Sequence, residues 1–436
     1  MKRCITTLLW VFLAAAGLGA AGWLAGAGRS AGASGVPPGL EEYPPGVRFV
    51  TVALGGFRGI LADVLWLRAA QKQDEGDFFE VAQLSGWITR LAPRYPEVWS
   101  YHAWNIAYNI GAMFPAPEDR WAWAMRGMRL LRDEGIPANP HHSKLYWDLG
   151  WLYSDKISGR WEENPLDFRV RWAAEMTAVF GTWQVDAAAD PDPACRARLA
   201  AAGLKPEILR QVDALHGPLD WRLPEAHAIY WAFQGRVYQD RDARWCDRLL
   251  WVSLAEMAEG GALHFDPARR LYFQEPRLDV ARNGVRNIRW AGLLESPLTA
   301  VVAERFLGGA MVLLHAYGDA ASAAAARTEL AALPGARRVA AATEEAVLAE
   351  LADRLQGVPP DRARQIVEGF LRRAELWRGL GNEPAAAGLV RLAELHRDAL
   401  ARVWEPREWA AFRAGWDGMV TEAGRHAAAT LAGALP

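Results

Sequence analysis

Apolar residues recur at intervals of three and four along most of the chain, as they do in helices that bury one face. The pattern predicts helices over residues 118–135, 165–182, 242–260, 296–317, 338–356, 360–380 and 384–404. No run alternates apolar and polar positions well enough to predict a strand. Clusters of proline, glycine and small polar residues predict irregular loops at 184–195, 216–224, 260–280 and 333–338. Proline removes a backbone donor there, and glycine frees φ. The expected fold class is all-α.

The N-terminus breaks this periodicity. From Cys4 to Gly28 no residue is charged, a run longer than the roughly 20 apolar residues that span a bilayer. Lys2 and Arg3 precede it, so the positive-inside rule places the N-terminus in the cytoplasm and the body outside the inner membrane, on its periplasmic or extracytoplasmic side. Ala25–Gly26–Ala27 also resembles a cleavage site, so residues 1–28 read as a single-pass transmembrane anchor or a signal segment. Uninterrupted length favours the anchor, because cleaved apolar cores run about 7–15 residues. Residues 29–46, rich in glycine, proline and serine, read as a linker. VRFVTVALGGFRGI (47–60) is shorter and carries Arg58; it reads as the first packed helix of the body, or as a segment on the membrane surface.

Composition narrows the functional classes. Across 436 residues the formal net charge is −2 without a basic stripe, which argues against nucleic acid. Tryptophan is the outlier, at 22 residues. Indoles supply large contact area with a polar handle, so they serve as wedges between helices or as stacking surfaces for ligands. The three cysteines, Cys4, Cys195 and Cys246, lack any zinc-binding spacing, and Cys195 and Cys246 are expected to stay unpaired. His141 and His142 are adjacent in a turn, and His102 falls on a core position. No phosphate loop, dinucleotide fingerprint, nucleophile elbow or zinc-protease motif is present. The expectation is a chain with no cofactor, no metal and no catalytic residue.

One stretch carries more information. LYWDLGWLYSDKI (145–157) places Gly150 mid-helix, where glycine costs about 1 kcal/mol relative to alanine. Tyr146, Leu149–Gly150 and Tyr153 follow the spacing W-x2-L-G-x2-Y. Trp99 with Ala103, Leu65 with Ala69, and Trp231 with Gly235 and Tyr238 repeat it in weaker form. Pro93 precedes Trp99 by six residues, as Pro140 precedes Tyr146. Gly76, AYGDAASAAA (316–325) and GLGNEPAAAG (379–388) look like the turn between two helices of a pair.

The chain thus resembles the tetratricopeptide-repeat superfamily over most of residues 55–400. It departs from that pattern at Val81, Ser85 and Ile88, near 113–120, and between Tyr146 and Trp231. The resemblance implies a superhelical helix–turn–helix array with inserts: an array over 47–182, an irregular insert plus further repeat-like helices over 183–300, and C-terminal helical repeats over 301–436. Ala69, Ala103, Gly150 and Gly235 would be its close-packing points. The family's groove-facing positions carry over to Asp63, Trp66, Trp104, Asn105, Tyr108, Asn109, Lys144, Trp147, Trp151, Asp155, Arg236 and Gln239. What this implies is a non-enzymatic, membrane-anchored adaptor holding a protein partner in the cell envelope. The alternative is a glycan-binding or glycan-processing toroid, with Asp148, Asp220 and Glu225 as its carboxylates. In the simpler reading of 219–231, Asp220 and Arg222 tie a loop together and Pro224–Glu225 start a helix.

Overall fold

A computed structural model describes residues 58–181, 191–266, 271–289, 297–333 and 339–433. The expected anchor, linker and most of 47–60 lie outside the described residues. The described chain is helical nearly throughout and forms two compact units, one ending at Ile110 and one beginning at Gly111.

The first unit contains α1 (Arg58–Asp74), α2 (Phe78–Leu91) and α3 (Pro96–Trp104). Ala62, Ile88 and Val98 form one buried cluster in it, with Leu65 and Trp66 packed against them. Ala69 and Ala103 are both buried. Gly76 turns α1 into α2 with φ +77°, and the Asp77 carboxylate then accepts from the Glu80 amide at 3.2 Å. Glycine reaches that left-handed conformation without Cβ strain, and the cap satisfies an orphan donor of the new helix.

The second unit begins with α4 (Pro117–Arg129), α5 (Ser143–Trp151), α6 (Pro165–Phe180), α7 (Pro193–Ala201), α8 (Pro206–His216), α9 (Pro224–Gly235) and α10 (Ala243–Gly260). A two-stranded antiparallel hairpin follows, β1 (Ala262–Asp266) and β2 (Leu271–Glu275). The rest is α11 (Leu278–Arg286), α12 (Pro297–Ala316), α13 (Ala320–Ala331), α14 (Thr343–Leu355), α15 (Pro360–Gly379), α16 (Glu383–Val403), α17 (Pro406–Ala414) and α18 (Trp416–Leu431). Proline opens many of these helices, where its missing N–H would go unused. The turns α12–α13 and α15–α16 repeat the device of α1–α2. Gly318 and Gly381 sit at φ +78° and +81°, and Asp319 and Asn382 cap the next helix.

Two segments 47 residues apart share more than spacing. Trp99 Nε1 donates to the Pro93 carbonyl at 2.8 Å, and Tyr146 Oη donates to the Pro140 carbonyl at 3.0 Å. The proline-to-aromatic interval of six is the reach of that hydrogen bond. Both helices then loosen into a π-helical turn, Asn105–Ile110 after α3 and Leu152–Ile157 after α5. The two segments are one local design used twice.

Gly150 and Gly235 face each other's helices. A Cβ on Gly150 would lie 3.1 Å from the Ala228 carbonyl oxygen and 2.8 Å from Leu249 Cδ2; on Gly235 it would lie 2.6 Å from Tyr146 Cβ and 2.7 Å from Cys246 Sγ. The start of α5 therefore meets the end of α9, so these helices run antiparallel, while Ser143 with Cys246 and Gly150 with Leu249 place α10 in the same sense as α5. This corrects the expectation of a further first-helix copy at Trp231. That helix is the antiparallel partner of α5, and the 158–223 segment is inserted between the two. Its glycine spacing serves the other side of one close crossing.

The expectation of no strands is also corrected. ALHFD and LYFQE pair from Ala262–Glu275 to Asp266–Leu271, burying Leu263 and Phe273. Five residues per strand carry too few alternations to stand out. Within α12, Thr299–Ala316 is long and apolar enough to cross a membrane, but two thirds of it is buried by its neighbours, as in a core helix. Cys195 and Cys246 are separate, buried free thiols.

Candidate functional site

The expected groove residues divide sharply between surface and core. In the first unit Trp104 is 43% exposed, at the junction of α3 and its π turn, and its ring stacks on Tyr108 at 5.6 Å. Trp66 packs on Tyr101 at 5.0 Å, and Asp63 is exposed on α1. Burial, with Asp74 nearby, raises the Tyr101 phenol. Asn105 is a correction: it is fully buried, donating from Nδ2 to the Phe78 carbonyl at 3.1 Å and accepting from Asn109 Nδ2 at 2.9 Å. The π turn swings it inward, where its amide satisfies a carbonyl at the start of α2.

In the second unit Trp151 occupies the position equivalent to Trp104 and is 38% exposed. Trp147 lies 6.0 Å from Trp151 on one side and 6.0 Å from Trp245 of α10 on the other. Lys144 Nζ stands 5.3 Å over the Trp147 ring and pairs with Asp148 at 3.2 Å, while the Arg244 guanidinium stands 5.5 Å from the Trp245 centroid. The result is a row of three indoles edged by two cations. Trp245 and Arg244 escaped the sequence reading because only the same-sense packing of α10 on α5 brings them there.

Other expected residues play structural parts. Asp155 is buried, a second correction, and accepts from Trp161 Nε1 at 2.6 Å. Arg236 pairs with Asp247 at 2.7 Å; burial nevertheless raises the Asp247 carboxyl above its usual range. Gln239 is exposed with φ 51°.

No family model, curated protein or solved structure matches the chain.

The three carboxylates of the glycan-processing alternative each have a basic neighbour of their own. Asp148 pairs with Lys144. Asp220 receives both Nε and Nη2 of Arg222, at 2.8 and 2.6 Å, and Arg222 also donates to the Leu263 carbonyl at 2.7 Å, tying the loop to the β-hairpin. Glu225, at the start of α9, is held by Arg169 of α6. Arg169 in turn donates from Nε to the Ser158 carbonyl at 2.9 Å. Burial works against the Arg169 charge, but Glu225 and Tyr272 raise its pKa overall.

Around Glu225 lies a polar cluster that the sequence did not reveal. Glu256 of α10 accepts from Arg160 Nη2 at 3.1 Å. Its Oε2 is buried and meets no donor among the described residues. Burial first, and Glu225 second, push the Glu256 carboxyl up to about 7, against Arg160 and Arg169. Nearby, Lys156 and Arg120 contact Glu162 at 2.7 Å each; burial would raise that carboxyl, but the two cations bring it below its usual range.

Proposed function

We propose that this protein is a non-enzymatic scaffold of the tetratricopeptide type, anchored in the inner membrane by residues 4–28, whose helical hairpins hold an extended protein partner on the outer side. One observation carries the reading: Trp104 and Trp151 hold the same position in two segments of one design, each exposed and each backed by a second aromatic ring. A repeated, half-exposed indole is an anchor that a core does not need. Each such anchor contributes about 2 kcal/mol when covered by a partner. Lys144, Asp148 and Arg244 give the second anchor a charged rim that fixes register.

The test is affinity purification of the intact anchored protein from membranes, with W104A, W151A and the double variant beside wild type. Each single variant is expected to weaken binding of the partner about thirtyfold, with the helical circular dichroism unchanged, since about 1.4 kcal/mol is one decade and each anchor contributes about 2 kcal/mol. Recovery unaffected by the double variant would refute the reading. Retention on a polysaccharide matrix that depends on these tryptophans, without any protein partner, would favour the glycan alternative instead.

A further inference from the structure

We infer that the row of Trp147, Trp151 and Trp245 takes an acidic, proline-rich segment of the partner, bound as a polyproline II helix. This rests on the scaffold reading above and names the chemistry of what the scaffold holds. On α5, Lys144, Trp147, Asp148 and Trp151 recur at three and four and so share one face; on α10, Arg244, Trp245 and Arg248 do the same. The two faces meet where the rings of Trp147 and Trp245 approach to 6.0 Å. Trp151 is 38% exposed, and Trp147 and Trp245 are half-buried, so each indole is held by the fold yet reaches solvent.

Charge sets the sign of the occupant. Lys144 pairs with Asp148 at 3.2 Å, so these two cancel. Arg244 and Arg248 are exposed, and neither meets a carboxylate at ion-pair distance among the described residues. The acids beside them in sequence are engaged elsewhere, Asp242 with Arg241 and Asp247 with Arg236. Two uncompensated guanidinium groups along an indole row attract carboxylates, which they bind through paired, charge-assisted hydrogen bonds. Spacing sets the backbone. The rings stand 6.0 Å apart twice in succession, close to the rise of about 6.2 Å over two residues of a polyproline II helix. Their planes are tilted by 35° and 42° rather than stacked on one another. Proline-rich segments dock on such aromatic surfaces because the chain is already extended and loses little conformational freedom. A neutral sugar chain would instead need polar partners for its hydroxyls, and the one carboxylate on the row, Asp148, is already engaged by Lys144.

Calorimetric titration of the full chain in detergent micelles tests this. The probe is a dodecapeptide of repeating proline–proline–glutamate. One control replaces glutamate by lysine, another replaces the prolines by glycine and serine, and a galacturonate oligomer stands for acidic glycans. Saturable binding of the proline–glutamate peptide is expected, at least tenfold tighter than any control and weakened by salt. R244E/R248E should lower that affinity at least tenfold and admit the proline–lysine peptide instead, and W245A should lower it several-fold. Both arginines are exposed, so the charge reversal decides the matter even if W245A fails to fold. No saturable binding of the proline–glutamate peptide, a control peptide that binds as tightly, or an affinity untouched by R244E/R248E overturns the inference. Binding of the galacturonate oligomer alone assigns the row to an acidic glycan and overturns it equally. Partner recovery that depends on Trp104 and Trp151, with no peptide binding, overturns this inference and leaves the scaffold reading standing. Peptide binding as expected, with partner recovery unchanged in the double tryptophan variant, does the reverse.

Discussion

A methyl group on Gly150 would press on a backbone carbonyl that cannot move away and on the end of Leu249. G150A should therefore destabilise the protein by about 1–3 kcal/mol despite alanine's better helix propensity. G235A should cost at least as much, because Tyr146 Cβ and Cys246 Sγ stand closer still. Gly369, inside α15, has nothing within 4 Å of a built Cβ, so G369A should stabilise by about 0.5–1 kcal/mol. Denaturant midpoints of the three variants check the signs; a stabilised G150A would remove the close crossing from the account. At this scale the sequence was informative where a residue violated local propensity: Gly150 marked a contact because nothing local explains it. Glu256 violates nothing on an amphipathic helix. Its environment comes from Arg160, from Arg169 of α6 and from Glu225 of α9, distant in sequence, and no reading of α10 alone exposes it.

The hairpin turns are the elements whose chemistry can be tested most simply. Asp77, Asp319 and Asn382 each follow a left-handed glycine and cap the next helix. Replacing any one by alanine should cost about 1 kcal/mol in equilibrium unfolding, and three null results would mean that the caps do not hold the turns. Most helix extents were legible, because a long amphipathic pattern ends at proline or glycine: α6, α10, α12, α15 and α16 fall within a residue or two of expectation. The π turns were not. An extra residue per turn for six residues leaves the surrounding period intact, yet it rotates Asn105 and Asp155 into the interior. Trp104 and Trp151, just before the π turns, are exposed, whereas Asn105 and Asp155 within them are buried.

Across the whole molecule, burial of titratable groups sets opposing pH dependences. The Glu256 carboxyl is raised from 4.5 to about 7, so the folded state retains a proton that the unfolded chain releases. Its contribution is fully present below about pH 4.5 and is lost as pH rises towards 7. Discounted for the open third of the side chain, the loss is on the order of 1–2 kcal/mol, and E256Q should abolish it. His216, His227 and His396 act in the other direction. Burial lowers each from 6.5 to about 4, so their stabilisation is complete above pH 6.5 and fades as pH falls towards 4. Chemical denaturation of wild type and E256Q between pH 4 and 8 separates the two trends; parallel curves would show that Glu256 is not raised in the folded state.

The partner-binding claim is tested most directly by photocrosslinking in cells, with a photoreactive residue placed in turn at 104, at 151 and at exposed Val301 on α12. The account predicts that positions 104 and 151 capture the same partner polypeptide and that position 301 does not. Capture of that partner only at 301, or of nothing at both tryptophan positions, would contradict it.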